Sequence, residues 1–511
     1  MLAKCCSAAL TGLTANLVEI EANCSGRGTQ SAVSIVGLPD AAVRESRDRV
    51  WSALASSGFM PPEGLTIINL APADLKKEGA AFDLPIAVTV LAAANLIPKE
   101  QPQRTMIIGE LALNGRIRPV KGALAIALLA AGMQDRIDAM IVPEANAREA
   151  AAAAGDIPVY GVSTIAQTAE FFKNPSSFTP YTAENIFSSE PVPGCPIPDF
   201  ADVKGQFAAR RAMEIAAAGG HNVLMIGPPG TGKSMLAMRL AGILPPMTLD
   251  EILETSRIHS VLGMLPANGD LVTSRPFRAP HHTTSDVGLI GGGKDLRPGE
   301  ISMAHNGVLF LDELPEFKRN VLEVLRQPLE SGTITVTRAA GSCLFPADFM
   351  LVAAMNPCPC GRGDVELGCR CKPDEKNRYL RKVSGPLLDR IDLHVEVLQL
   401  TQDELLEAPS GESSAEISLR VRKAREIQKE RYKGIYRCNA WLDSKGLQEF
   451  CTVDRSSAIL LRQAIQRFRL SPRAYDRILK TARTIADLAG AEKIAEAHIY
   501  EAVSMRSTEL Q

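Results

Sequence analysis

VLMIGPPGTGKSMLAMRL, residues 223–240, decides the fold class. Its first four residues are apolar and read as a buried strand. Gly227, Pro228, Pro229, Gly230, Thr231, Gly232, Lys233 and Ser234 follow as a loop, and a helix continues to Leu240. A strand, G-x-x-x-x-G-K-S and a helix together form a phosphate-binding loop, because glycines let backbone amides curl around an anion and the helix start adds partial positive charge. In this reading the loop binds ATP, Lys233 reaches the β and γ phosphates, and Ser234 ligates Mg2+.

Outward from the loop, GVLFLDELPEF puts Asp312 and Glu313 at the C-terminal end of a second apolar strand, the end at which open α/β sheets bind ligands. Asp312 is expected to hold Mg2+ and Glu313 to orient the attacking water. The strand in FMLVAAMN ends at Asn356, where Pro357 bars continuation; the amide can sense the γ phosphate or simply close a turn. SGPLLDRIDLHVEV sets Arg390 between a loop and a strand, able to reach a neighbouring subunit's γ phosphate or to form a surface pair with Asp389 or Asp392. Ser471, Pro472 and Arg473 read as an N-cap, first helical residue and first-turn arginine, so Arg473 is a second sensor or an ordinary exposed cation.

These residues, in this order, with RPFRAPHHTTSDVGLIGGG at 275–293 and PGEISMAHNGVLFLDELPEF after it, resemble the magnesium chelatase-like AAA+ family, and within it the competence-associated ComM/YifB branch. The resemblance covers essentially the whole chain, and 275–317 is far more specific than the Walker motifs it includes. It implies a hexameric ring, ATP hydrolysis at subunit interfaces, and helicase or translocase activity on branched or double-stranded DNA during uptake-linked recombination. In that fold class Asn356 matches sensor 1, Arg390 the arginine finger and Arg473 sensor 2, in its own subunit or across the interface. A chelatase-like ATPase that remodels a protein partner is the alternative, and the additional N-terminal region argues against it.

That region resembles the Lon protease/ribosomal S5-like α/β fold, with GELALNGRIRPVKGAL similar to the Lon stretch that carries the catalytic lysine. A serine nucleophile needs a base. Where Lon has its serine this chain reads KKEGAAFDLP, with Ala81 at the matching place, and no lysine lies between Gly122 and Lys173. The expectation is an accessory domain for assembly or DNA rather than a protease.

CPCGRGDVELGCRC sets Cys358, Cys360, Cys369 and Cys371 in two C-x-C pairs that can converge on a structural Zn2+ or remain reduced thiols. GTITVTRAAGSCLFP alternates as a β-hairpin before sensor 1, and in a ring Arg338 would stand where a DNA phosphate passes; a solvated hairpin tip is the plain alternative. Lys294 and Arg297, beside the glycines at 291–293, form a second candidate DNA loop. His281 and His282 lack a ligand framework and read as structural. Arg420, Arg422, Lys423, Arg425, Lys429 and Arg431 are interrupted by Glu426 and Glu430, the pattern of a solvated helix with i to i+4 pairs.

A chain of 511 residues fits two or three domains. The expected division is an α/β domain over 1–175, a Pro/Ser-rich linker over 176–200, a P-loop α/β domain over 201–400 and a helical bundle over 413–511, the last entered through a capping box at Ser413 and Glu416. A net charge of −2 says little about nucleic acid, because a phosphate backbone responds to local clusters of Lys and Arg, so partners are sought in local motifs. Eleven scattered cysteines and no long unbroken apolar run suit a reducing cytoplasm and no membrane.

Overall fold

The computed structural model describes residues 1–25, 32–182, 197–266, 269–293, 296–338, 341–363, 368–400, 411–468 and 471–506. Two large sheets organise it. The N-terminal sheet has the order Ala32–Val36, Leu65–Ala71, Thr14–Cys24, Leu2–Thr11, Thr105–Ile107, Ala139–Pro143, Val159–Val162. Leu2–Thr11 and Thr14–Cys24 pair antiparallel through a loop of Gly12 and Leu13, where Gly12 takes φ +60°. The wholly buried helix Asp83–Ala93 packs on these two strands. It can begin with a buried aspartate because Arg49 donates to Asp83 twice, at 2.7 and 3.0 Å, and the Leu111 amide donates at 3.2 Å. Ala81 lies on the turn just before it, its carbonyl accepting from Gly109 N at 3.0 Å. Lys121 lies elsewhere, its stem against Gly263.

The central sheet is parallel throughout, in the order Phe277–Arg278, Val308–Leu311, Met350–Met355, Val223–Ile226, Leu393–Glu396. Parallel sheets need both faces covered, and the three middle strands, VLFL, MLVAAM and VLMI, are accordingly continuous apolar runs. One face packs on the helices Phe207–Gly219, Lys233–Ile243, Ser414–Tyr432 and Pro472–Leu488 in a single core; the other packs on Leu289, Ile301, Leu322, Ile334 and Phe345. The helix after the P-loop runs to Ile243, three residues beyond the expected end. Both expected N-caps form: Ser413 accepts from Glu416 N in a full capping box, and Ser471 accepts from Ala474 N.

The charged helix Ser414–Tyr432 departs from the i to i+4 expectation. Arg420 binds Glu214 and Glu412, Arg425 donates to the Ala217 carbonyl, and Arg431 binds the buried Asp487. Half of its cations therefore fasten it to neighbouring helices, because a buried helix face makes long-range partners closer than the next turn.

The two sheets are joined by specific contacts. The Ser260 hydroxyl donates to Glu149 at 2.6 Å, Gly122 N donates to the Ser260 carbonyl at 3.0 Å, and Arg148 pairs with Asp270 at 2.7 Å. The Gly12 and Leu13 turn packs against the hairpin Thr333–Arg338/Gly341–Pro346: a methyl on Gly12 would stand 2.9 Å from Cys343 Sγ, and Leu13 is buried in the same core as Ile334, Val336 and Phe345.

A polar lock holds the N-terminal edge of the central sheet. Asp392 accepts from Asn222 N at 2.8 Å and pairs with Arg477; Asn222 Oδ1 accepts from Leu351 N at 2.8 Å, and Arg506 donates to the Ile391 carbonyl at 2.6 Å. Burial alone would raise the Asp392 carboxyl, but Arg477 and His221 overcome it and hold it far below the usual range. Arg477→Ala strands that carboxylate and should cost about 3–5 kcal/mol in urea unfolding. Because the folded pKa is depressed, this stabilisation is complete above the unfolded value of about 3.9 and should be lost as pH falls below it.

Candidate active site

The parallel sheet brings three stretches distant in sequence, the P-loop, Asp312 with Glu313, and Asn356, to one edge. Lys233 Nζ donates to the Gly227 and Pro228 carbonyls at 2.7 Å each and lies 3.4 Å from Asn356 Oδ1. Burial lowers its pKa and Asp312 opposes the shift. The Ser234 hydroxyl donates to Asp312 Oδ2 at 2.8 Å, so the loop and the acidic strand touch directly. A hydroxyl and a carboxylate oxygen side by side are hard oxygen donors, which fit Mg2+.

Glu313 is held in an unusual way. Its backbone is left-handed, φ +51°, a conformation that costs a non-glycine residue energy and clusters at functional sites. Its amide donates to Asp312 Oδ1 at 2.9 Å, and its carboxylate lies 3.1 Å from His282 Nδ1. His282 was not among the expected site residues. It arrives there because Phe277–Arg278 pairs beside Val308–Leu311, which carries the following loop to the end of the acidic strand. His281 instead closes its own turn on Thr283, 2.9 Å away.

Arg390 and Arg473 are not at this edge. Arg390 lies three residues before the start of Leu393–Glu396, its carbonyl accepting from Asn222 Nδ2 at 3.2 Å at the opposite end of Val223–Ile226. At about 3.3 Å per residue the two edges lie more than ~10 Å apart. The Arg390 guanidinium donates to the Pro386 carbonyl at 2.6 Å and binds Glu330, rather than pairing with Asp389 or Asp392. Burial lowers its pKa and Glu330 opposes the shift, while Arg473 and Arg326 add to it. Arg473 lies 4.0 Å from the same Glu330 oxygen. The two arginines thus form a pair of their own, away from Lys233.

The four cysteines converge. Their sulfurs lie within 4.8 Å of one another, with Cys358 3.3 Å from Cys360 and 3.7 Å from Cys369. Tetrahedral zinc with Zn–S of about 2.3 Å requires sulfurs about 3.8 Å apart, so the donor set fits zinc. The Cys360 thiol is drawn down to about 6, chiefly by the Arg362 amide and then by the neighbouring thiols. The cluster abuts the P-loop: a methyl on Gly361, which has φ +83°, would stand 2.9 Å from Pro229 Cδ. His281 and His282 belong to no such group among the described residues.

The two candidate DNA loops come together. Arg338 lies at the end of its hairpin strand, its guanidinium against Gly292, where a methyl would stand 3.1 Å from Nε. Gly292 pairs in turn with Arg297. Lys294 and the hairpin turn at 339–340 lie outside the described residues.

Three family descriptions match the chain: magnesium chelatase, subunit ChlI over 199–405; subunit ChlI of Mg-chelatase over 20–146; and the subunit ChlI C-terminal part over 411–506. The competence protein ComM of Haemophilus influenzae is 44% identical over 98% of this chain and 96% of its own length. YifB of Escherichia coli is 43% identical over 93% of this chain and 91% of its own. The magnesium-chelatase 38 kDa subunit of Rhodobacter capsulatus is 28% identical over 40% of this chain and 57% of its own. No helix among the described residues is long and apolar enough to cross a membrane.

Proposed function

The chain belongs to the magnesium chelatase-like AAA+ family, in its ComM/YifB branch, and from that premise we propose that it is an ATP-driven motor that works as a hexameric ring and migrates DNA branches during recombination of incoming DNA. The observation that carries the reading is the separation of Arg390 from Lys233 across the length of the central sheet. A P-loop with Asp312, Glu313 and Asn356 at one edge, and a cationic pair at the other, forms a complete site only between two subunits. Arg390 and Arg473 then act on the neighbour's γ phosphate, where a finger is worth about a thousandfold or more in rate.

Each residue has a role in this scheme. The P-loop amides and Lys233 hold the phosphates, Ser234 and Asp312 hold Mg2+, which neutralises charge on the phosphates, and Glu313 orients the water. Asn356, within reach of Lys233, reports the γ phosphate. Zinc on Cys358, Cys360, Cys369 and Cys371 stiffens the segment behind Pro229; a closed four-sulfur site has no open position for catalysis. DNA binding is assigned to Arg338 and Arg297, which lie together, and to Lys294 beside them. The competence name of the Haemophilus influenzae relative supports the recombination setting. The likeness to the Rhodobacter capsulatus subunit favours a second reading, an ATPase that remodels a protein partner.

Three outcomes test the proposal. Lys233→Ala is expected to abolish ATP binding, whereas Glu313→Gln should retain binding and stop phosphate release; wild-type turnover in Glu313→Gln would remove Glu313 from its role. Elemental analysis of untagged protein should find zinc stoichiometric with the chain, and Cys369→Ser with Cys371→Ser should lose it. Finally, with Mg2+ and ATP the protein should resolve labelled three-way or four-way junctions. Arg338→Ala should weaken DNA binding across sequences and reduce the salt slope by about one unit for each phosphate that is no longer neutralised, with DNA-free ATP hydrolysis intact. A wild-type protein that neither binds nor resolves any junction at low salt makes the protein-remodelling reading the better one.

A further inference from the structure

Glu330 has no part in the ATPase scheme, yet it touches both interface arginines. Its Oε1 meets Arg390 Nη2 and lies 4.0 Å from Arg473 Nη2. The Arg390 side chain is only 5% exposed, and its Nε has no hydrogen-bond partner among the described residues. Arg326, which pairs with Glu323, is also close enough to repel Arg390, so Arg390 stands among like charges with Glu330 as its carboxylate partner. Like charges at such range push apart. The carboxylate is therefore what allows Arg390 and Arg473 to be presented side by side.

Glu330 also stands at a structural joint. It lies on the one-turn helix Pro328–Ser331, and only Gly332 separates that helix from Thr333–Arg338, the strand that ends in Arg338. The joint is braced on every side. The Ser331 hydroxyl donates to the Thr333 carbonyl at 3.1 Å, Gln327 Nε2 donates to Thr335 Oγ1 at 3.3 Å, and Ala347 N donates to the Gly332 carbonyl at 2.8 Å. Gly332, at φ +66°, abuts the C-terminal helices, where a methyl would stand 3.0 Å from Trp441 Cη2.

We infer that Glu330 is a positioning residue that holds Arg390 and Arg473 as one cationic pair for the neighbour's γ phosphate and transmits that neighbour's nucleotide state to the hairpin carrying Arg338. The inference rests on the reading of Arg390 as acting in trans. A phosphate that engages the guanidiniums competes with the Glu330 carboxylate for the same donors, and its release unties the helix Pro328–Ser331, which leads through Gly332 into the hairpin, from the segment that carries Arg390.

The test uses full-length Glu330→Gln, which keeps shape and removes charge, with Glu330→Asp as the conservative variant and thermal melting as the check on folding. In Glu330→Gln, turnover per site should fall roughly ten- to hundredfold, the scale of a misplaced catalytic group. ATP affinity should not change, because the P-loop edge is untouched, and Glu330→Asp should restore most of the rate. Mixed with Lys233→Ala subunits, Glu330→Gln subunits should regain activity, since an intact pocket beside a Lys233→Ala subunit meets a neighbour with an intact Glu330 and Arg390. A fall in ATP affinity overturns the assignment of Glu330. So does a mixture that stays inactive while Arg390→Ala mixed with Lys233→Ala recovers, and in that case the trans reading stands. If neither mixture recovers although subunits exchange, the trans reading falls and this inference with it. Hydrogen exchange over 333–346 tests transmission: a non-hydrolysed ATP analogue should change it in wild type and not in Glu330→Gln. A wild-type hairpin indifferent to nucleotide, or a variant that responds as wild type does, overturns that part.

Discussion

Every strand of the central sheet points the same way, and the division of labour in the molecule follows from that constraint. Parallel strands deliver all their C-terminal ends to one edge and all their N-terminal ends to the other. Residues that follow strands, Lys233, Asp312, Glu313 and Asn356, gather at the first edge. Arg390, which precedes a strand, is consigned to the second. No side-chain rotation brings an arginine across a sheet buried on both faces, so Arg390 stays apart from Lys233 within one chain. In the ring we propose, the second edge of one subunit faces the first edge of the next.

The second edge is also where the C-terminal helices are attached. Arg477, one turn after Arg473 on the same helix, pairs with Asp392, two residues after Arg390. A buried charge pair contributes little net stability compared with a well-packed apolar one, but it is intolerant of misregister. Its value here is positional: it fixes the start of the helix Pro472–Leu488 relative to the segment that carries Arg390. Glu330 then has two arginines from separate elements within reach of one oxygen.

Much of this was legible in the sequence, and what was legible was local. The strand and loop at 223–234 are a contiguous signal, as are the caps at Ser413 and Ser471. The cysteines could be paired because each C-x-C is its own unit and the connector is short. Contacts that depend on sheet order could not be read. Nothing in PLESG distinguishes Glu330 from any surface glutamate, and His282 reaches Glu313 only because an edge strand of two residues pairs beside the acidic one. The charged helix misled for the same reason: Arg420 has Glu416 one turn away, yet packing supplied Glu214, and Arg425 and Arg431, with no carboxylate three or four residues away, found their partners on other helices. Arg473 was correctly placed at a helix start, while its neighbourhood depended on where that helix docks.

The turn of Gly12 and Leu13 has a consequence for how the machine can be dismantled. Leu13 fills a place among Ile334, Val336 and Phe345, and Gly12 admits Cys343 so closely that any side chain there would collide with it. A chain shortened to its ATPase half would therefore carry a hairpin with one flank stripped to apolar side chains. Exposed apolar surface beside unpaired strand edges is the usual seed of aggregation. The N-terminal sheet is thus a stopper as much as an attachment: its Gly12 and Leu13 turn keeps the hairpin dry on one side, so removing either half uncovers the other.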